Sequence, residues 1–288
     1  MLAVGAGVLS MLLYAGQFVI SRWSLQRTLT LWDLATLRFA VAGVLLLPLV
    51  LRHGIATAAS IGWGRAVALA ITAGAPYTLI LYAGLSMAPA SHGAVIIPGA
   101  TPVVITVLMW IAYGEWPGLA RLGGLAAIIV GLVLVSWPGA TGAGTGPTWI
   151  GDLLFAGASV LWGLYTLLAR RWQVDPVRGT AVVWVIALAY LPVYAALAES
   201  HLAEAPRAEV LFQAVYQGIG VAIGALLLYT MAIRALGASI ASLFMPLIPV
   251  FGVLLAIPAL GEVPAGIQVA GMLAVTAGMV LAAARPRA

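Results

Sequence analysis

Long apolar stretches follow one another along this chain with almost no charge inside them, and that pattern leaves few folds open. A helix needs about 20 mostly apolar residues to cross the hydrocarbon core of a bilayer. On that rule ten spans are expected, at residues 3–21, 32–51, 65–85, 91–111, 119–137, 151–169, 179–198, 211–232, 239–257 and 265–284. Backbone groups find no hydrogen-bonding partner in lipid, so runs of this length must satisfy themselves as helices. The expected fold is therefore an all-α integral membrane protein of ten transmembrane helices. Composition agrees: 64% of the 288 residues are apolar and 7% charged, where a soluble domain has about half and a quarter. Because apolar runs recur throughout, the first one is expected to be a span of the mature protein and not a cleaved signal.

The charged residues exclude several classes of function. The thirteen basic residues are all arginine and lie scattered between apolar runs, whereas nucleic-acid binding needs a basic patch. Cysteine is absent, which removes disulfides, thiolate metal sites and cysteine nucleophiles together. The expected partners are a small-molecule substrate and the lipid bilayer, with no cofactor, no metal and a monomeric state. A membrane-embedded transferase would need convergent acid, base or metal-binding groups, and no His-Asp, His-Glu or carboxylate-cluster spacing stands out. A channel would need a filter loop or a charged constriction, and neither is visible.

An internal repeat divides the chain. A shift of 147 carries Leu81-Tyr82 onto Leu228-Tyr229, Pro102 onto Pro249, Gly114-Glu115 onto Gly261-Glu262, Gly124 onto Gly271 and Gly131 onto Gly278. A shift of 148 carries Tyr14-Ala15 onto Trp162-Gly163. Residues 1–137 and 149–288 then form two five-helix repeats, joined by an uncharged Gly/Pro/Thr linker over 138–148. An odd number of spans makes the second copy enter the membrane from the opposite side. Inverted-topology repeats of this kind can expose a site between them to each side of the membrane in turn.

Arginines flanking the spans set the orientation, since basic residues are retained in the cytoplasm. With the N-terminus inside, Arg52, Arg65, Arg121, Arg170, Arg171, Arg178, Arg234, Arg285 and Arg287 are cytoplasmic, Arg22, Arg27 and Arg207 external, and Arg38 lies within a span. Both termini are expected on the cytoplasmic side of a bacterial inner membrane.

These motifs resemble those of the drug/metabolite transporter superfamily, and in particular its ten-span EamA-type exporters, over nearly the whole chain. The likeness rests on the aromatic-Gly pair of the first span of each repeat, kept as Trp162-Gly163 and altered in the first copy to Tyr14-Ala15. It rests also on Arg38 in the second span, unmatched near Val183, and on Pro102 with Glu115 and Pro249 with Glu262. The resemblance implies export of amino acids, other metabolites or drugs. The aromatic inventory points among these to aromatic amino-acid exporters of the YddG type.

Candidate site residues follow from what a membrane interior penalises. Pro98, Pro102, Pro246 and Pro249 each remove a backbone donor and are expected to free the carbonyls of Ala94, Pro98, Ser242 and Met245. Paired interruptions in corresponding spans mark a central cavity and its gates. Spans 1, 3, 4, 6, 8 and 9 would line that cavity, with Gln17, Tyr77, His92, Trp162, Tyr165 and Ser242 as substrate contacts. Gln17, His92, Ser239 and Ser242 are polar groups that need partners inside the spans, and Tyr14, Phe18 and Trp184 lie as deep as the candidate rings. Trp23, Trp32, Trp63, Trp110, Trp116, Trp137, Trp149 and Trp172 lie near span ends, where aromatic belts form. Arg38 is expected to pair with Asp33 or a helix end, with carboxylate binding as the alternative role, Glu115 and Glu262 to cap or anchor the following turn, and Gly220 with Gly224 to allow close helix approach. No carboxylate is expected near the midplane, so facilitated export is the expected mode. If the orientation is correct, a fluorescent protein fused after Ala288 will fluoresce and a periplasm-dependent phosphatase fused there will be inactive; the reverse result would invert the topology.

Overall fold

The computed structural model describes residues 1–52, 61–114, 116–140 and 148–283. Glu115, Arg285, Arg287 and most of the linker lie outside the described residues, as does the side chain of Ser239. Ten helices among the described residues are long and apolar enough to cross a membrane. In chain order they are α1 (Leu2–Leu25), α2 (Leu31–Arg52), α3 (Trp63–Met87), α4 (Ala90–Tyr113), α5 (Leu119–Ala140), α6 (Thr148–Arg171), α7 (Pro176–Leu197), α8 (Arg207–Leu236), α9 (Ser242–Leu260, preceded by the helical turn Ala238–Ala241) and α10 (Gly266–Ala283).

Packing between helices follows the repeat. α4 packs on α6 and α1 on α9; α3 packs on α6 and α1 on α8; α2 packs on α7, and α4 on α9. Exchanging each helix for the one five places away returns the same set of pairs. The tightest crossing makes the relation explicit. A Cβ on Gly131 would lie 2.5 Å from the Gly271 carbonyl oxygen, and one on Gly271 would lie 2.6 Å from that of Gly131. Gly124 and Gly278 meet in the same way, at 2.8 and 2.6 Å. α5 and α10 thus run antiparallel, and the shift of 147 carries Gly124 to Gly271 and Gly131 to Gly278, so that the two contacts exchange places. Glycine is required here because small residues let helix backbones touch where lipid gives no hydrophobic drive to associate.

The helix interruptions have local causes. α3 breaks at Gly74, between Trp63–Ala73 and Ala75–Met87. A Cβ on Gly74 would collide with the Ala70 carbonyl oxygen, and Pro76 starts the second segment without a donor. The shift of 147 carries Gly74 to Val221, in the middle of the stretch Ala214–Ala225 where α8 widens into π-helical hydrogen bonding. Corresponding helices therefore leave regular α geometry at corresponding depths. α7 has a further break between Ala187 and Tyr190. Gly114 and Gly261 end α4 and α9 in the same left-handed conformation, at φ 67° and 68°, which glycine adopts without a Cβ penalty.

Three expectations need correction. The prolines do not act alike: α4 stays helical through Pro98 and Pro102, whereas α9 changes to a 3₁₀ turn at Ser242–Phe244 and restarts at Leu247. The carbonyls of Ser242 and Met245 are consequently not free, since they accept from Met245 N at 3.2 Å and Ile248 N at 3.0 Å; tightening to i→i+3 bonding recovers what each proline removes. Gly220 and Gly224 do not mediate a close crossing, because the π-helical stretch turns them away from neighbouring backbones. Gly218 does so instead, where a Cβ would lie 2.5 Å from Val41 of α2.

Alanine at Gly131 or at Gly271 should therefore lower stability by about 1–3 kcal/mol through overpacking, and by similar amounts, because the contact is mutual. Alanine at Gly157, which has nothing within 4 Å of its added Cβ, serves as the control. Thermal unfolding in detergent, followed by size-exclusion chromatography, will test this, and unequal losses at the two positions would contradict the exchanged contacts.

Candidate functional site

Two polar and aromatic clusters form inside the bundle, and they separate residues that the sequence had grouped together. The first cluster is aromatic. Trp162 and Tyr165 stand three residues apart on α6 and therefore share a face. Their rings lie 5.2 Å apart, and Tyr77 of α3 approaches Trp162 from the other side at 5.3 Å. Tyr14 of α1 is within electrostatic reach of Tyr77, Tyr165, Tyr229 and Arg38. Tyr14 and Tyr165 are half-buried and pack against the main hydrophobic core. Gly163 explains the aromatic-Gly pair physically: a Cβ there would lie 2.6 Å from Val104, so glycine lets α6 rest on α4 while Trp162 turns toward the cluster.

Beneath these rings lies Arg38 of α2, whose Nη1 donates to Gln17 Oε1 at 3.2 Å. Its guanidinium sits over the Trp184 ring of α7 at 4.9 Å, and Trp184 in turn stacks on Phe39. Arg38 does not pair with Asp33, contrary to expectation. Five residues of helix turn the two side chains to different sides, and Asp33 is fully engaged elsewhere. It accepts from Thr30 N at 2.9 Å and Thr30 Oγ1 at 2.8 Å, from the Tyr194 hydroxyl, and from His201 N at 3.4 Å. α2 and α7 thus contribute to a site expected from α1, α3, α4, α6, α8 and α9 only.

The second cluster lies toward the end of the bundle where α4 and α6 begin. His92 is 2% exposed, and its Nδ1 is 2.8 Å from Oδ1 of Asp152, itself 6% exposed. Gln268 Nε2 stands 2.8 Å from His92 Nε2, and the same amide reaches the Val135 carbonyl at 3.4 Å. His92 therefore belongs to a closed network joining α4, α6 and α10, apart from Trp162 and Tyr77. This pair was missed in the sequence because its members are 60 residues apart, and no spacing rule links two helices that meet only in the folded chain. Asp152 lies near the start of α6, at the span end where it was expected, but it is buried there.

The same end carries further ties. Arg22 Nε donates to Glu262 Oε1 at 3.0 Å, and Glu262 Oε2 accepts from Ala90 N at 2.8 Å. Glu262 thus ties α9 to α1 and α4. The cap of α10 comes instead from Gln268, whose Oε1 accepts from Ala265 N at 2.9 Å. Gln213 and Gln217 of α8 donate to Ser24 and Ser21 of α1 at 2.8 and 2.7 Å. At the opposite end, a cavity of about 350 Å³ opens between α7 and α8, lined by Val177, Leu227, Thr230, Met231 and Arg234. It contains none of the candidate residues. Pro246 and Pro249 are buried in α9, Pro98 and Pro102 half-buried in α4, and Ser242 half-buried at the 3₁₀ turn. Among the described residues, no three His, Cys, Asp or Glu side chains gather as a metal site would require.

Residues 1–137 and 149–284 each match the EamA-like transporter family. The chain belongs to that family. Among its relatives, an uncharacterized protein of Pseudomonas aeruginosa is 35% identical over 185 residues, which is 64% of this chain and 61% of that protein's length. An uncharacterized transporter of Archaeoglobus fulgidus is 24% identical over 96% of both chains. A solved crystal structure shares the fold, with a TM-score of 0.62 and 22% identity over 97% of this chain and 96% of its own. As an EamA-like transporter, the protein is a multi-pass membrane protein.

The His92–Asp152 pair should contribute to stability as a unit. His92→Ala strands a buried carboxylate and should cost about 3–5 kcal/mol, whereas the double variant His92→Ala/Asp152→Ala should lose less than the sum of the single losses. A double-mutant cycle on thermal unfolding measures this, and strictly additive losses would show the contact to be energetically idle.

Proposed function

We propose that this EamA-like transporter exports amino acids, aromatic ones favoured, from the cytoplasm by alternating access between two inverted five-helix halves. The observation that carries the reading is the Tyr77–Trp162–Tyr165 cluster inside the bundle. It joins rings from both halves beside helices that leave regular α geometry in each repeat. An aromatic side chain would stack against Trp162, gaining ring geometry in addition to area burial. Its ammonium would lie near ring faces, which attract cations, and near the Pro98 carbonyl, whose helical donor is replaced by Pro102.

The inverted relation is supported by the antiparallel, exchanging glycine contacts of α5 and α10 and by a packing map that survives exchange of the halves. Arginine placement supports the assignment of the Arg22–Glu262 and His92–Asp152 end to the outer side of a bacterial inner membrane. In that orientation the outer end of the described conformation is tied together by side-chain bonds across α1, α4, α6, α8, α9 and α10. Breaking those ties would release the substrate outward.

The aromatic cluster carries no carboxylate, and we therefore take transport to be facilitated. In proteoliposomes loaded with labelled phenylalanine, Trp162→Ala should slow efflux about tenfold, equivalent to about 1.4 kcal/mol, at unchanged protein yield. Trp162→Phe should retain most of the rate, and a protonophore should leave it unaltered. Equal loss of yield and rate would make Trp162 a packing residue, and collapse of efflux with the protonophore would assign coupling to a titratable pair such as His92–Asp152.

A further inference from the structure

Arg38 is a buried positive charge to which the described protein supplies no counter-ion. The side chain is 5% exposed, and its guanidinium makes one hydrogen bond, from Nη1 to Gln17. Nε has no partner. The ion pairs among the described residues are Arg22–Glu262 and His92–Asp152, and Asp33, the acid nearest in sequence, is saturated by Thr30, Tyr194 and His201. Arginine cannot shed its proton to escape the penalty. One neutral hydrogen bond and one cation–π contact with Trp184 return less than it costs to keep an unpaired ion out of water. A charge held this way inside a span marks a ligand or ion path.

The geometry points to Arg38 as the anchor for a carboxylate on the transported molecule, so that the cargo is a monoanionic carboxylate or zwitterion with an apolar or aromatic remainder. Three features favour this ligand class. Gln17 occupies Nη1 and leaves the buried Nε without a protein partner, and a guanidinium N–H left over in this way is a donor that a carboxylate accepts from. The guanidinium lies within electrostatic reach of Tyr14 and Tyr77, and Tyr77 packs on Trp162. A carboxylate on Arg38 therefore directs the rest of the molecule toward the aromatic rings. A single guanidinium also matches one negative charge, whereas a phosphate or nucleotide would call for several cationic groups. Cationic drugs are disfavoured because Arg38 repels them.

This inference rests on the proposed transport through the aromatic cluster, and the experiment separates the two. Efflux of phenylalanine, phenylalaninamide and phenethylamine is measured from proteoliposomes containing wild type, Arg38→Lys or Arg38→Gln, with monodispersity checked for each variant. Tryptophan fluorescence quenching by 3-phenylpropionate is recorded in parallel. Wild type should carry phenylalanine at least about tenfold faster than either compound lacking the carboxylate, a margin of about 1.4 kcal/mol. Arg38→Gln should abolish that preference and the quenching, and Arg38→Lys should retain part of both. Wild-type efflux of the amide as fast as that of phenylalanine would overturn the anchor role without any variant, as would a monodisperse Arg38→Gln protein that keeps the preference. If wild type carries no phenylalanine, the amino-acid reading fails by itself; Arg38-dependent quenching by 3-phenylpropionate would then still support the anchor, and its absence would overturn that too.

Discussion

Hydrocarbon offers no partner to a polar group, and the arrangement of this bundle follows from that constraint. Many buried polar side chains are satisfied by another helix, and those contacts help decide which helices meet and in what register. Gln213 and Gln217 fasten α8 to α1 through Ser24, Ser21 and the Ile20 carbonyl. His92, Asp152 and Gln268 fasten α4, α6 and α10 at one end. Where polar groups are absent, backbones touch directly, as at the glycine crossing of α5 and α10. Arg38 departs from the pattern, with one amide and one ring face for company.

The two repeats share a packing plan but spend their irregularities differently. α3 breaks cleanly at Gly74, while the same depth in α8 is a long π-helical stretch. α4 carries its prolines within a continuous helix, while α9 is divided by a 3₁₀ turn. Symmetric sequence landmarks therefore produce asymmetric helices, because proline removes a donor without dictating how the neighbours recover.

Polar ties are also concentrated at one end. Arg22–Glu262, His92–Asp152–Gln268 and the Asp33 network gather there, while the cavity between α7 and α8 lies toward the other. Hydrogen bonds that individually contribute little in water hold more firmly when the alternative is an unpaired group facing lipid.

The sequence by itself determined the spans, their number, the family and the halves, because span length and the spacing of Pro102, Gly114, Pro249 and Gly261 are properties of the chain read in order. Trp162, Tyr165 and Tyr77 were also legible as deep aromatics, and the fold brings their rings into mutual contact. Only the tertiary structure decided that His92 belongs with Asp152 and not with those rings, that Arg38 lies under Trp184 and not beside Asp33, and that Glu262 reaches α1 and α4. Each of these partnerships joins residues on different helices. Helical periodicity states which face a side chain occupies, but the neighbour on that face is chosen by how ten helices pack against one another.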